Sequence, residues 1–294
     1  MKHTEVLSIA SNEIAALKGR FLPVVDIAKP TTLEYARQLS KVISKLSPLL
    51  GNMIEFSTVD ILNTRDWGGQ GTWLRQDPGF PDAVFQSETI CPNPGIEIKT
   101  WFPFATEITA RFKDSVLHFT DDQINVAMIA WLPEYVIWGK PTIVDSWIGS
   151  ASSVAAARDT HYHRPPDYLV FEPEDTSART ANLQQTNTNG YKFQGSPEEF
   201  TRAKAIVDSW GEKGHIYNTS RDYQIKLQQL LGNFTYRLDT NFAKMDRIGH
   251  TSLESFKTRV LETEYQGHKI RQWSRILSSK GHTLDNELLR LIDN

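Results

Sequence analysis

The reading of this chain turns on two short stretches, Pro81-Asp82-Ala83-Val84-Phe85 and Gly95-Ile96-Glu97-Ile98-Lys99-Thr100-Trp101. Both have the β-branched and aromatic composition of strands. Side chains alternate along a strand, so Glu97 and Lys99 share one face while Ile96 and Ile98 face a core. Where the two strands lie side by side, an aspartate, a glutamate and a lysine meet. Two carboxylates beside a lysine suit a divalent cation and an activated water. The plain alternative is a surface hairpin with its charges turned outward.

Outward from these strands, the apolar spacing predicts a helix over about Glu5 to Leu17. Thr31-Thr32-Leu33-Glu34 reads as a capping box with Thr31 as N-cap, opening a helix to about Leu46. A further helix is expected from about Leu50 to Leu62, with Met53, Ile54, Phe56, Val59 and Ile61 on its apolar side. Residues 64–81 are broken by Gly68, Gly69, Gly71, Pro78, Gly79 and Pro81 and read as a loop. Strands are expected at 82–87, 95–101, 135–139, 141–147 and 167–172. Thr120-Asp121-Asp122 reads as the start of a helix to about Trp131, and another helix is expected over about 150–158. Residues 173–195 are polar and aperiodic, and after Ser196-Pro197-Glu198-Glu199 the pattern is almost wholly helical. Helices, then a mixed sheet, then helices predict an α/β (mixed α+β) fold with one central mixed sheet. The expected organisation is a single domain over 1–294. Residues 1–50 form a helical part, 51–195 the core with a recognition loop, and 196–294 a second helical part.

Composition bounds the function. At 39% hydrophobic and 23% charged, the 294-residue chain is an ordinary globular protein. No apolar run is long enough to cross a bilayer, and Met1-Lys2-His3-Thr4-Glu5 does not open a signal peptide, so a cytoplasmic location and no membrane partner are expected. The single cysteine, Cys91, excludes an internal disulfide framework and a cysteine-based zinc site. The net charge of -3 does not advertise nucleic-acid binding, but its distribution is uneven. Residues 201–294 hold 15 Lys and Arg against 11 Asp and Glu, whereas the rest of the chain holds 17 against 24. The C-terminal third is therefore the more plausible phosphate-facing part, although solvated helical faces account for most such charges equally well.

Phosphodiester hydrolysis needs charge to offset the negative charge gathering on phosphorus, and a nucleophile made from water near neutral pH. Asp82 and Glu97 are natural Mg²⁺ ligands, the Ile98 carbonyl is a third oxygen, and Lys99 is placed to orient the water. Pro-Asp, a gap and then Glu-x-Lys on a strand resembles the PD-(D/E)xK nuclease superfamily, which includes most type II restriction endonucleases. Gly95-Ile96-Glu97-Ile98-Lys99-Thr100 is especially similar to the corresponding strand of MutH-type nicking endonucleases. The resemblance covers about a sixth of the chain and implies that a glutamate on a preceding helix helps complete the site. Glu55 is the matching position. The gap from Glu55 to Asp82 is longer than in MutH and contains the Trp67-to-Trp73 loop. The resemblance thus implies a Mg²⁺-dependent endonuclease cutting double-stranded DNA, with a MutH-like nickase or a non-catalytic DNA-binding module as alternatives.

Reading a base edge takes Arg for guanine and Asn or Gln for adenine. Arg179, Asn182, Gln184, Gln185, Asn187, Asn189, Tyr191 and Lys192 concentrate such groups in one polar stretch. Arg158, His161, His163 and Arg164 form a second group suited to phosphates or bases. A palindromic target would require a two-fold homodimer. Either helical end, 1–50 or 200–294, is suited to the dimer surface or to clamping DNA. A cognate DNA methyltransferase is expected as a genetic neighbour.

Competing motifs are weaker. Pro166-Asp167 with Glu172-Pro173-Glu174 lacks the lysine, and Pro173 would interrupt a strand. His161 and His163 share a face if extended, yet no third histidine lies near. Trp67-Gly68-Gly69-Gln70-Gly71-Thr72 lacks the Gly-Lys-Ser/Thr of a phosphate-binding loop. A glycosidase pair of carboxylates would give Lys99 no role.

Overall fold

In the computed structural model of the chain, five strands form one sheet in the order β1-β2-β3-β4-β5. They are β1 (Thr72–Arg75), β2 (Ala83–Gln86), β3 (Gly95–Trp101), β4 (Ile124–Pro133) and β5 (Pro141–Ser150). The structure describes residues 1–76, 79–105, 108, 110–116, 119, 121–172 and 188–293. Neighbours run antiparallel except β3 and β4, which are parallel. A parallel pair needs a crossover, and residues 102–123 supply it.

β4 corrects the helix expected up to Trp131. Its sequence, Ile-Asn-Val-Ala-Met-Ile-Ala-Trp-Leu-Pro, is nearly unbroken in apolar character and buried on both faces. Such a run fits a buried helix or a buried strand equally well by periodicity, and pairing between β3 and β5 decides it here. The strand expected at 135–139 is instead the turn joining β4 to β5, where Val136 takes a positive φ of 70° and Tyr135 stacks on Trp138. β1 lies inside the stretch read as a loop.

Three helices precede the sheet: α1 (His3–Ala15), α2 (Leu33–Val42) and α3 (Ser47–Thr64). The N-cap of α2 is Thr32 rather than Thr31, its hydroxyl accepting from the Tyr35 N–H at 3.2 Å. α3 lies so close to β3 that a Cβ on Gly51 would sit 2.5 Å from the Thr100 Oγ1. By strand alternation α3 therefore covers the face of Ile96, Ile98 and Thr100.

After β5 come α4 (Ala151–Tyr162), β6 (Tyr168–Phe171), β7 (Asn189–Phe193), α5 (Pro197–Asp208), α6 (Arg221–Asn233), β8 (Tyr236–Leu238) and α7 (Thr251–Glu262). Trp101, on the Glu97 face of β3, meets Phe256 of α7 with ring centroids 5.9 Å apart. α4 packs on β4 and β5 and is tied to the start of α7 by Ser153 and His250 at 2.9 Å. The sheet is thus sandwiched between helices, which buries β3 on both sides.

The segment after 196 is mainly helical, broken by three short strands, and its first part belongs to a second core. β6, β7 and β8 form a separate three-stranded antiparallel sheet. With α5 and α6 they enclose a second small core of Leu169, Ala203, Val207, Leu227 and Leu230. From Phe242 onward the chain rejoins the main core. There the two-residue turn Gln266-Gly267, both at positive φ, joins β9 (Glu264–Tyr265) to β10 (His268–Lys269). α8 (Ile270–Ser278) and α9 (His282–Asp293) follow. α9 packs on α2, where Arg37 forms a two-pronged pair with Asp285 at 2.7 and 2.6 Å. Among the described residues no helix is long and apolar enough to cross a membrane.

Candidate functional site

β2 and β3 pair with Ala83 opposite Ile96 and Val84 opposite Gly95. That register sets Asp82, just before β2, beside the centre of β3. A Cβ on Gly95 would lie 2.3 Å from the Pro81 Cγ, so glycine is what lets the two segments approach. The contact is then locked reciprocally. The Asp82 N–H donates to the Glu97 Oε2 at 3.1 Å, and the Ile98 N–H donates to the Asp82 Oδ2 at 2.7 Å. Lys99 hydrogen-bonds the other Glu97 oxygen, Oε1, and its Nζ lies 3.6 Å from the Asp82 Oδ2. Asp82, Glu97 and Lys99 therefore converge as the sequence suggests, and the outward-facing hairpin is excluded because Glu97 is only 1% exposed.

Burying a carboxylate is costly unless it is paired and hydrogen-bonded. Ile96 and Ile98 help offset that cost, each worth about 1.5–3 kcal/mol when fully buried. Burial still pushes the Glu97 carboxyl up to about 8, with Asp82 and Asp114 acting in the same sense and Lys99 opposing. Burial disfavours the Lys99 ammonium, but Glu97 and Asp82 outweigh it and hold the proton more tightly than in an ordinary lysine. Lys99 thus stands as a charged donor rather than a base.

Comparison of the chain with protein-family models, curated proteins and solved structures gives no match. The chemistry of the site is read from its own geometry.

Glu55 stands apart from the three. It lies on α3, across β3 from Glu97, and its carboxylate pairs with Arg75 of β1 at 2.7 Å. The Arg75 guanidinium lies 3.8 Å from the centre of the Phe56 ring. Burial and Asp82 raise the Glu55 carboxyl, while Arg75 and Lys99 oppose, so it feels the site without bonding to it.

Asp114 and its supports were not legible in the sequence. Asp114 is buried and acts on Glu97. Its segment is held by α4. The Asp159 Oδ2 accepts from the Ser115 hydroxyl at 3.2 Å and the Val116 N–H at 3.1 Å, and Arg158 donates to the Lys113 carbonyl. No local pattern signals this, because the partners are more than forty residues apart.

Arg158 is also a correction. Read as a contact for phosphates or bases, it is fully buried, bonding Asp159 at 2.7 Å and Glu172 at 2.9 Å. His163, expected to share that role, is buried too, stacked on Tyr217 with ring centroids 3.2 Å apart. His161 and Arg164 of the same group are exposed. On β7, Lys192 is exposed, Asn189 is half-buried, and Tyr191 packs against the second core. Arg179, Asn182, Gln184, Gln185 and Asn187 lie outside the described residues. Glu172 and Thr188, which flank that stretch, are bonded to each other at 3.1 Å.

Among the described residues no group of three or more His, Cys, Asp or Glu side chains is arranged to hold a metal ion. Mg²⁺ does not require one. It is commonly held by one or two carboxylates and keeps several waters. Asp82 and Glu97, with the Ile98 carbonyl next to Glu97 in the chain, match that all-oxygen donor chemistry.

Proposed function

We propose that this chain is a Mg²⁺-dependent endodeoxyribonuclease that cuts double-stranded DNA at a short specific site, as type II restriction enzymes of the PD-(D/E)xK superfamily do. The observation that carries the reading is the interlocked Asp82–Glu97–Lys99 cluster, with each acidic residue accepting a backbone N–H from the other's segment. The order of α3, β2 and β3 along the chain agrees with the resemblance.

Asp82, Glu97 and the Ile98 carbonyl would hold the cation. When bound, it offsets charge gathering on phosphorus and eases formation of hydroxide from water. Lys99, held protonated by its two carboxylates, donates to the attacking water or to a non-bridging phosphate oxygen and fixes the line of attack. Water adds to phosphorus as the bond to the 3′ oxygen breaks, and that oxygen takes the proton. Asp114 adds a second buried acidic side chain that acts on Glu97. A palindromic target would be served by a homodimer, with the exposed Lys192, His161 and Arg164 available for DNA contacts.

The test is incubation of the protein with supercoiled plasmid and Mg²⁺, with and without chelator. Discrete linear fragments that vanish with chelator support the proposal. Nicked circles alone would assign the MutH-like alternative, and intact plasmid would reject nuclease activity.

A further inference from the structure

A cavity of about 500 Å³ lies between the end of α4, the 115–116 segment and the 215–218 segment. Its size falls in the range of small-molecule sites, roughly 300–1,000 Å³. Val116, Ala156, Ile216 and the half-buried Tyr217 ring give it apolar and aromatic walls, and His163 and Arg164 give it polar groups.

The polar groups favour an acceptor. His163 is 3% exposed, and its Nε2 lies 3.2 Å from the Arg158 Nη2. The same Nε2 lies 3.4 Å from the Asp159 Oδ1, but the nearer arginine only donates, so Nε2 is assigned as acceptor and the ring hydrogen to Nδ1. That nitrogen has no hydrogen-bond partner, and an unpaired buried donor is costly. Asp159 also lines the cavity, but its carboxylate is engaged by Arg158, Ser115 and the Val116 N–H, so it offers little to a cation. Arg164, at the exposed end, uses only its Nε, on the Thr160 carbonyl at 3.1 Å. Its terminal nitrogens make no hydrogen bond among the described residues, and a guanidinium matches the geometry of phosphate.

We propose that this cavity binds a nucleotide, its base against Tyr217 and Ile216 and its phosphate at Arg164. The nucleotide could be free or the phosphorylated end of a DNA strand, since both present the same base and phosphate. Asp82, Glu97 and Lys99 do not line the cavity, and the proposal shares only Arg164 with the nuclease reading.

Calorimetric titration in chelator tests it, using the four deoxynucleoside monophosphates, inorganic phosphate, and a short 5′-phosphorylated duplex beside its unphosphorylated twin. Saturable binding of a monophosphate is expected, weakened about tenfold or more by Arg164→Ala and by Ile216→Glu, and unchanged in Lys99→Ala. Both altered residues are exposed, and circular dichroism checks that the variants fold. If only the phosphorylated duplex saturates, with the same sensitivity to both variants, the ligand is a strand end and the site stands. Absence of saturation with every probe, indifference to both variants, or loss of binding in Lys99→Ala would overturn it.

Discussion

Replacing Arg158 by methionine keeps a long side chain but removes the charge at a position with no exposure. The guanidinium now bonds Asp159, Glu172, the Lys113 carbonyl and His163. Glu172 is itself 0% exposed as a side chain, so the variant leaves a buried carboxylate without its guanidinium partner. Breaking a buried pair by removing one partner costs about 3–5 kcal/mol, because the remaining charge is left uncompensated. Such a loss is a large part of the total stability of an ordinary domain, about 5–15 kcal/mol. Urea unfolding without DNA reads it as a lower midpoint at unchanged slope. Arg158→Met/Glu172→Gln should recover part of the loss, with a coupling of about 1–3 kcal/mol for contacting residues. Arg158→Met within about 0.5 kcal/mol of the parent, in the range of an ordinary surface change, would refute the structural role and return Arg158 to the DNA-contact reading.

Three further outcomes are expected. Burial lowers the His163 imidazole from 6.5 to about 4, so the unfolded chain binds the extra proton between those values. Its contribution is present above pH 6.5 and is lost as pH falls toward 4, by about 3 kcal/mol in all. The contribution of His163 to the stability difference between the parent and His163→Gln should therefore shrink as pH falls from 7 toward 4. The variant is compared with the parent because Glu97, raised by burial, titrates in the opposite sense across part of it; an unchanged difference between the two proteins at pH 7 and pH 5 would count against this assignment. Gly95→Ala sets a methyl 2.3 Å from the Pro81 Cγ and 3.2 Å from the Ala83 carbonyl oxygen. It should lower stability by about 1–3 kcal/mol by thermal unfolding, as overpacking does, and reduce cleavage with it. Arg75→Gln removes the charged partner of Glu55; if Glu55 matters only through that pair, the variant should lose stability while the Mg²⁺ concentration for half-maximal cleavage stays the same, and a shift in that concentration would give Glu55 a direct part in the site.

The sequence carried most of the candidate site and less of the fold. β3 was legible to the residue because Ile96, Glu97, Ile98 and Lys99 alternate cleanly and Gly95 marks the start. Its deep burial was not, since alternation describes a half-buried strand and Glu97 lies under a helix-covered face. β4 was misread because an almost unbroken apolar run has no telling period, and only its two strand neighbours fix its form. The second core escaped notice because β6, β7 and β8 are short and separated by a long polar stretch and two helices. Arg158 and His163 looked like DNA contacts because basic residues near a helix end usually face water. Their partners Glu172 and Tyr217 are brought to them only by the fold.

The most direct test of the central proposal is plasmid cleavage by the parent and Lys99→Ala side by side, with DNA binding measured on both. Linear fragments from the parent in Mg²⁺, none from Lys99→Ala, and similar binding by both is the result expected of a site in which Lys99 orients the attacking water. Undiminished cutting by Lys99→Ala, or no cutting by the parent, would contradict it.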